Sequence, residues 1–310
     1  MKLHHLRDLL AVADHGSLRA AAREIGIAQP AMTRSIQELE RELGAPLFER
    51  KSRGIVPTPI GEAFIRRARS VDNELLRARD EVAQLRGLTH GNLRVALSMV
   101  PHMALLPDAL RPFRQRFPDV RLDIIDAVFP SVAAEMADGT IECYVGPAPE
   151  QVPEGMRMEK LFDNTRVIVG RKGHPLSAAK SLRELAQAEW ATTSITAQAE
   201  HELGPLFEQH GLPAPTLVLQ AHSALTLIVT LLYSDLLTML PVQWMSFPLT
   251  REALHVIDVA EPLAAPPICI IQRAGLPLTP AAEHLCDLLR RAAAHVHARD
   301  PMHRPLPSSA

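Results

Sequence analysis

The sequence predicts an α/β protein with a small helical N-terminal domain, one long connecting helix and a larger C-terminal domain. Three observations support this. Short apolar stripes with helical spacing fill residues 1–58, a single long amphipathic pattern follows, and from residue 91 strand and helix patterns alternate. At 310 residues the chain is long enough for each domain to bury its own core.

Residues 1–58 have the pattern of three short helices followed by two short strands. The first helix has an apolar stripe that ends before Gly16, and Ser17 is placed to cap the second helix. The third helix starts near Gln29 with Pro30 in its first turn, where a missing N–H costs nothing. Its apolar positions recur at spacings of 4, 3 and 4 and predict one buried stripe. They are Met32, Ile36, Leu39 and Leu43.

The opposite face of the third helix carries amide, hydroxyl and guanidinium groups, which pair with base edges in the major groove of DNA. A polar face that only meets solvent is the alternative. The two strands that follow predict a wing, with Arg50, Lys51 and Arg53 placed to contact phosphates or the minor groove. The residues expected at DNA are Ser17, Gln29, Pro30, Thr33, Arg34, Gln37, Arg50 and Arg53.

A long helix is predicted next, with Thr58 as its N-cap and Pro59 in its first position. Its apolar residues alternate at spacings of 4 and 3, which is the repeat of a coiled coil. They are Phe64, Ala68, Val71, Leu75, Ala78, Val82 and Leu85. Charged residues surround this narrow stripe, so we expect a dimer interface rather than a helix lying on its own domain. The pattern ends near Leu88, and a hinge follows.

Beyond residue 91 the alternation predicts an α/β domain with a largely parallel sheet. Strands are expected near residues 93–97, 120–125, 141–145, 166–170, 216–219, 236–240 and 268–272. Helices are expected at about 103–117, 132–137 and 280–297, the last of them packing on the first subdomain. Residues 299–310 have the composition of a disordered tail.

Charge and composition exclude several classes of protein. The net charge is −2, but the chain through Leu88 has 15 Lys and Arg against 12 Asp and Glu, which suits a basic front on an acidic body. No apolar run is long enough for a signal peptide or a membrane span, so we expect a soluble, cytoplasmic protein without membrane contact.

The sequence contains no motif of a metal site or an enzyme. The three cysteines form no CxxC pair and have no zinc-like histidine pattern, so buried, reduced thiols and no metal or cofactor are expected. A hydrolase using Ser98 with His102 is the enzyme alternative. It lacks a GxSxG elbow and a Gly-rich phosphate loop, and it leaves the N-terminal 88 residues unexplained. We therefore expect no catalytic residues.

The N-terminal residues resemble a known family. Residues 16–22 (GSLRAAA), 29–40 (QPAMTRSIQELE), 43–50 (LGAPLFER) and 58–62 (TPIGE) are similar, almost position for position, to the signature of the LysR-type transcriptional regulators. A looser similarity continues through residues 117–120, 138–140 and 171–176. One departure is Ala28, where the family usually has a serine that caps the third helix.

This resemblance implies a winged helix-turn-helix, a dimerising linker helix and a two-subdomain effector domain like the periplasmic binding proteins. The implied boundaries are residues 1–58, 59–90 and 91–298, before the tail at 299–310. Subdomain I comprises about 91–163 with 267–298, and subdomain II about 164–266. The implied partners are double-stranded operator DNA, a small-molecule effector and further copies of the chain, as a homodimer or homotetramer. RNA polymerase is a candidate partner.

Such a domain binds its effector in the cleft between the subdomains, where strand ends and helix N-termini favour an anion. The residues expected there by position are Ser98, Met99, Val100, Pro101, His102, Phe129, Pro130, Ser131, Gly146, Ser194, Ile195, Thr196 and His222. For Ser98 and Ser131 an ordinary helix cap is the alternative, and for His102 a solvated or capping histidine.

The apolar character of the expected cleft predicts a small aromatic or amphipathic acid. The C-terminal half also resembles regulators of aromatic sulfonate or carboxylate breakdown. Two other possibilities stay open at this point. One is a redox-responsive regulator in which Cys143 and Cys269 pair, which requires their strands to be neighbours. The other is a DNA-binding protein whose pocket takes no ligand.

Overall fold

A computed structural model describes residues 1–51, 54–193 and 199–299 of the chain. Backbone contacts divide the chain into two compact units. Unit 1 contains Met1–Leu88 together with the short segment Ala134–Ile141, and unit 2 contains Thr89–Ala133 and the chain from Glu142 onward. The short segment is held within unit 1 by Asn73, whose Nδ2 donates hydrogen bonds of 3.0 Å to the Asp138 carbonyl and to Thr140 Oγ1.

The described residues of unit 1 up to Leu88 form four helices and one β-hairpin, as the sequence predicts. The elements are α1 (Leu3–His15), α2 (Leu18–Ile25), α3 (Gln29–Leu43), β1 (Phe48–Lys51), β2 (Gly54–Pro57) and α4 (Pro59–Leu85). The three short helices and the hairpin enclose one apolar core, to which the first turns of α4 contribute Ala68. Phe64 packs against the same core.

The buried stripe of α3 differs from the prediction at its last position. Met32, Ile36 and Leu39 are buried, but Leu43 is 40% exposed because the helix ends there, beyond the reach of the core. A polar contact supplements the stripe: Ser35, also buried, donates its hydroxyl hydrogen bond to Asp8 of α1. This contact ties α3 to α1 within the core, where an unpaired polar group would be costly.

The start of α4 is fixed by its N-cap and by a glycine. The Thr58 hydroxyl accepts a 3.0 Å hydrogen bond from the Gly61 amide and donates one of 2.8 Å to the Pro46 carbonyl. Gly61 lies so close to the chain before β1 that a Cβ atom on it would stand 1.9 Å from the Leu47 carbonyl oxygen. Only glycine therefore permits this approach of α4 to the rest of the unit.

Unit 2 consists of alternating strands and helices. The first series is β3 (His90–Leu97), α5 (Met99–Ala104), α6 (Leu106–Arg116), β4 (Asp119–Asp126), α7 (Phe129–Ala137), β5 (Cys143–Pro147) and β6 (Met156–Arg171). The second is β7 (Glu189–Thr193), α8 (Ala199–Gln209), β8 (Thr216–Ala221), α9 (Ala224–Leu232), β9 (Thr238–Pro241), α10 (Pro248–Arg251), β10 (Leu254–Ile257), β11 (Ala264–Arg273) and α11 (Pro280–Arg299).

The prediction of a largely parallel sheet was wrong. Strand β3 pairs parallel with β4 and β5, and β7 pairs parallel with β8. However, β6 pairs antiparallel with β9, β10 and β11, and β11 pairs antiparallel with β5. Sequence patterns miss this because the first half of β6 carries charged side chains, so only its apolar second half was predicted as a strand.

Other differences are local. The single helix expected at 103–117 is two helices, α5 and α6, and strands β7 and β10 had not been predicted. Both strands are only four or five residues long. Such short runs give too few alternations for a periodic signal.

Two apolar regions pack within unit 2, and strand β6 contributes to both. The first contains residues of β3, α6 and β5 and, as predicted, the last helix α11. The second lies among β7, α8, α9 and β9. Strand β6 contributes Phe162 to the first core and Ile168 to the second. The segment between these residues is thus a connection between subdomains. No helix among the described residues is long and apolar enough to cross a membrane.

Candidate DNA-binding face and effector cleft

The polar face of α3 has the geometry that major-groove recognition needs. Gln29, Pro30, Arg34 and Gln37 are exposed, while the apolar stripe opposite them is buried. Thr33 is half-buried, and its hydroxyl donates a 3.0 Å hydrogen bond to the Gln29 carbonyl one turn earlier. Its methyl group and oxygen lone pairs stay available for contact with a base edge.

The N-caps of α2 and α3 are as the sequence predicts. Ser17 accepts a hydrogen bond of 3.4 Å from the Ala20 amide and so caps α2. Ala28, at the corresponding position of α3, makes no side-chain cap. The Ala31 and Met32 amides of this first turn both donate to the Ala28 carbonyl, so they are not left over for a phosphate oxygen.

The wing is an antiparallel hairpin of β1 and β2, and Arg50 and Lys51 are exposed on its first strand. Glu40 of α3 holds it in place, since its carboxylate accepts hydrogen bonds from the Leu47 and Phe48 amides at 2.7 and 3.2 Å. The position of the wing is thus coupled to that of the recognition helix. Arg53, the remaining basic residue expected at DNA, lies outside the described residues.

Unit 2 contains a cavity of about 90 Å³ beside the strands that connect its two subdomains. Its wall is mostly apolar, and Arg166 carries the one formal charge among the described lining residues. The lining residues are Ser98, Met99, Val100, Val128, Pro147, Asn164, Arg166, Ala191, Thr192, Thr193, Leu203, Ala224, Thr238, Met239, Leu240, Pro241, Trp244 and Pro266. They come from both subdomains and from β6 between them.

The structure brings part of the predicted effector site to this cavity. Ser98, Met99 and Val100 line it. Gly146 does not line it but lies against Ser98: a Cβ at position 146 would stand 2.7 Å from Ser98 Oγ and 2.2 Å from the Tyr144 hydroxyl oxygen. The predicted residues Ser194, Ile195 and Thr196 lie outside the described residues.

The other predicted residues are not among those that line the cavity, and three of them have contacts within the fold. His102 Nδ1 lies 2.9 Å from the Ser98 carbonyl. Phe129 is buried against the ring of Tyr144. Ser131 lies within the first turn of α7 and donates a 2.8 Å hydrogen bond to the Val128 carbonyl, which is not the geometry of a helix cap. The remaining three are Pro101, which is buried, and Pro130 and His222, which are exposed. Roles in ligand binding for all of these stay predictions.

Sequence analysis missed Asn164, Arg166 and Trp244. The first two lie on β6, and Trp244 follows β9 in a short turn of helix. A weak signal was present, because Arg166 is a cation directly before the apolar run of residues 167–170. Nothing in the sequence shows that these residues meet Ser98, about 70 to 150 positions earlier.

The cysteines are arranged differently from the pairing considered above. Strands β5 and β11 are neighbours, but Cys143 is opposite Gln272 and Cys269 is opposite Gly146, an offset of three residues or about 10 Å. Instead, Cys286 of α11 donates a 3.7 Å hydrogen bond to the Cys143 sulfur.

All three thiols are buried. The hydrogen bond from Cys286 and burial both raise the pKa of the Cys143 thiol, and burial raises that of Cys269 to about 12. Reactive cysteines are usually accessible and have a lowered pKa. This environment therefore favours inert structural thiols over a redox switch.

The stripe predicted along α4 divides into two parts. Phe64 and Ala68 pack into unit 1, whereas Val71, Val82 and Leu85 are 45%, 57% and 72% exposed. The first part therefore serves the fold of the unit. The second is an apolar surface without a partner among the described residues of this chain.

Two family descriptions match the chain. Residues 3–62 match the "Bacterial regulatory helix-turn-helix protein, lysR family", and residues 86–294 match the "LysR substrate binding domain". A curated relative from a Pseudomonas species, the "SDS degradation transcriptional activation protein", is 30% identical over 294 residues. That alignment covers 93% of this chain and 95% of the relative.

Further relatives agree. The HTH-type transcriptional regulator GalR of Pseudomonas putida is 28% identical over 276 residues, which are 88% of this chain and 70% of GalR. Among solved structures, full-length CbnR complexed with its target DNA has a TM-score of 0.68 at 22% identity, covering 94% of this chain and all of CbnR. The chain belongs to the LysR family of DNA-binding transcriptional regulators.

Proposed function

We propose that this regulator binds its operator through α3 and the wing, and that a small amphipathic anion in the cavity of unit 2 controls this binding. The observation that carries the proposal is the composition of the cavity: apolar side chains form most of its wall, and Arg166 supplies a positive charge. An aromatic carboxylate or sulfonate matches both properties. Operator binding implies that the protein acts in the bacterial cytoplasm.

The size of the cavity supports a compact ligand. A cavity of roughly 150 Å³ is enough to enclose benzene, so a space of about 90 Å³ favours a small ligand. A single aromatic ring is therefore about the largest ligand body that it can enclose. A long alkyl sulfate, suggested by the relative named for SDS degradation, exceeds it and would have to extend out of the cavity.

The mechanism follows from where the lining residues lie. Ser98 follows β3 in subdomain I, and Trp244 follows β9 in subdomain II. A ligand that contacts both residues stabilises one relative position of the subdomains over others. A coupling of about 1–3 kcal/mol between the ligand and the DNA site is sufficient for regulation.

The test is fluorescence anisotropy of the purified protein with labelled DNA from beside its own gene, at one fixed salt concentration. Aromatic carboxylates, aromatic sulfonates and dodecyl sulfate are added separately. We expect specific binding, changed about fivefold or more by one aromatic acid. Specific binding that no compound changes would contradict the effector class and leave DNA binding intact.

Gly146→Ala is the matched variant for this test. Its added methyl group collides with Ser98 and Tyr144 inside unit 2 and leaves every residue of unit 1 unchanged. We expect normal operator affinity without ligand and a lost or strongly weakened response to it. A variant that responds like the wild type would argue against a ligand beside Ser98.

We propose further that the exposed part of the α4 stripe forms a dimer, and that dimers pair into a homotetramer. Helix α4 has 27 residues and extends about 40 Å at 1.5 Å per residue, which is enough to hold two DNA-binding domains apart. Val82→Asp would place a charge in that apolar surface, whereas Arg79→Asp changes a charge beside it. Analytical ultracentrifugation should show smaller assemblies for the first variant only. An unchanged assembly for Val82→Asp would contradict the interface.

A further inference from the structure

Three buried polar atoms without a hydrogen-bond partner among the described residues belong to side chains that line the cavity. They are Ser98 Oγ, Asn164 Oδ1 and Trp244 Nε1. The residues that carry them are only 3%, 5% and 1% exposed, so bulk water does not reach them freely. A buried polar group without a partner costs free energy, and native proteins rarely keep several together without a use for them.

The usual structural roles of such residues do not account for these unpaired atoms. Ser98 stands at the N-cap position of α5, yet its hydroxyl makes no cap. Asn164 lies on β6 opposite Ala265 of β11, where the pairing register shifts, and β6 at that point connects the two subdomains. The indole of Trp190 also lacks a partner, but it packs against Phe207 in the core and does not line the cavity.

The three atoms differ in the partner they require. The Trp244 indole is only a donor, so it requires an acceptor on the ligand. Ser98 can donate or accept. Asn164 Oδ1 is an acceptor and requires a donor. A simple carboxylate or sulfonate offers acceptors only, and would satisfy Trp244 while leaving Asn164 Oδ1 buried and unpaired.

We propose that the effector is an acid that also carries a hydrogen-bond donor, a hydroxyl or amino group, which binds Asn164. This inference rests on the proposed effector cleft and narrows its ligand class. The acidic group accepts from Trp244 beside the charge of Arg166, and the hydroxyl or amino group donates to Asn164 Oδ1. Ser98 completes the set from subdomain I, so the ligand bridges both subdomains and the strand between them.

The test is calorimetric titration of the full-length wild-type protein with matched pairs of acids. The pairs are benzoate with 3- and 4-hydroxybenzoate, and benzenesulfonate with 4-hydroxybenzenesulfonate. A site built around a ligand hydroxyl discriminates strongly against the analogue that lacks it. We expect one hydroxylated acid to bind about tenfold or more tightly than its parent. Equal binding within each pair would overturn the proposal while leaving the effector cleft in place.

Two variants test whether Asn164 causes the preference for the hydroxylated acid. Asn164→Leu removes the acceptor and should reduce the preference for the hydroxylated acid to about twofold or less, by weakening that acid alone. Thr238→Val removes a different hydroxyl from the same wall and should leave the ratio unchanged. A preference that survives Asn164→Leu would overturn the assignment. Thermal melting checks that both variants fold, and the wild-type comparison stands without them.

The location is tested separately. The chain has two tryptophans, so Trp190→Phe leaves Trp244 as the one fluorophore of its kind. Binding of the preferred acid should change its emission with the same midpoint as the calorimetric titration. Binding without an emission change would overturn a site at Trp244. If the protein binds its operator but no acid in the panel binds at all, both this inference and the proposed effector class fail.

Discussion

The DNA-binding face and the effector cleft are built in opposite ways. The face consists of exposed side chains from one continuous helix, α3. The buried side of that helix packs into a core formed by elements that are close in sequence. The cleft consists of buried side chains from segments far apart in sequence, such as Ser98, Asn164 and Trp244. Substitutions of the exposed side chains on α3 should therefore leave the fold intact, whereas a substitution of a buried cavity residue also changes the packing of unit 2.

The largest effect on stability is expected at Gly61, where α4 approaches the chain before β1 most closely. Gly61→Ala places a methyl carbon on the Leu47 carbonyl, and because both partners are backbone the clash cannot be relieved by a side chain. We expect a loss of about 3 kcal/mol or more in the free energy of unfolding of unit 1, measured with urea. Ligand binding by unit 2 should persist.

Gly204→Ala is the control for that experiment. Gly204 lies in α8, and a Cβ there meets nothing within 4 Å. Replacing a helical glycine with alanine should be neutral or stabilise by up to about 1 kcal/mol. Similar losses in both variants would contradict the role of the close approach at Gly61.

An intermediate effect is expected for the recognition residues. Arg34→Ala should weaken binding to the operator by about 1–3 kcal/mol and reduce discrimination against random DNA, because an arginine can bind a guanine through two hydrogen bonds. Arg50→Ala, in the wing, should weaken binding to both DNAs about equally, since a phosphate contact carries no sequence information. Anisotropy at fixed salt measures both. Unchanged discrimination would remove Arg34 from the recognition surface.

A smaller effect on stability is expected from removal of the buried thiols. The same variants distinguish control by an effector from control by oxidation. The double variant Cys143→Ala and Cys286→Ala should lose about 1 kcal/mol of stability for each thiol while keeping the full response to effector. The reason is that buried thiols with a raised pKa do not supply a reactive thiolate. Operator binding with and without effector is the measurement, and Cys269→Ala is the control. Loss of the response in the double variant alone would favour a redox switch through Cys143 and Cys286.

The smallest effect concerns pH. Burial, together with Arg116 and Arg291, lowers the pKa of His284 below its usual value of about 6.5. Protonation then favours the unfolded chain, so the contribution of His284 is complete above the unfolded pKa and is lost as the pH falls below it. Between about pH 7.5 and 5.5, the wild type should lose slightly more stability than His284→Gln. Parallel losses for both proteins would contradict this assignment.

The comparison also explains which parts were predictable. Helices α1 to α4, the hairpin and the exposed residues of α3 follow from local periodicity and capping, because their partners lie within a few tens of residues. In unit 2, the predicted residues that reached the cavity are those directly after the first strand. The long strand β6 was predicted in half, because its charged first part has no apolar pattern.

By itself the sequence determined the family, the exposed polar face of α3 and the amphipathic helix α4, since each depends on residues close together along the chain. Only the tertiary structure decided which residues form the cleft and which cysteines meet. It also showed which residues of the α4 stripe pack into the core of unit 1. In unit 2 these outcomes depend on strand pairings that bring distant segments together, such as the antiparallel pairings of β11 with β5 and β6. Local patterns contain no information about such a pairing.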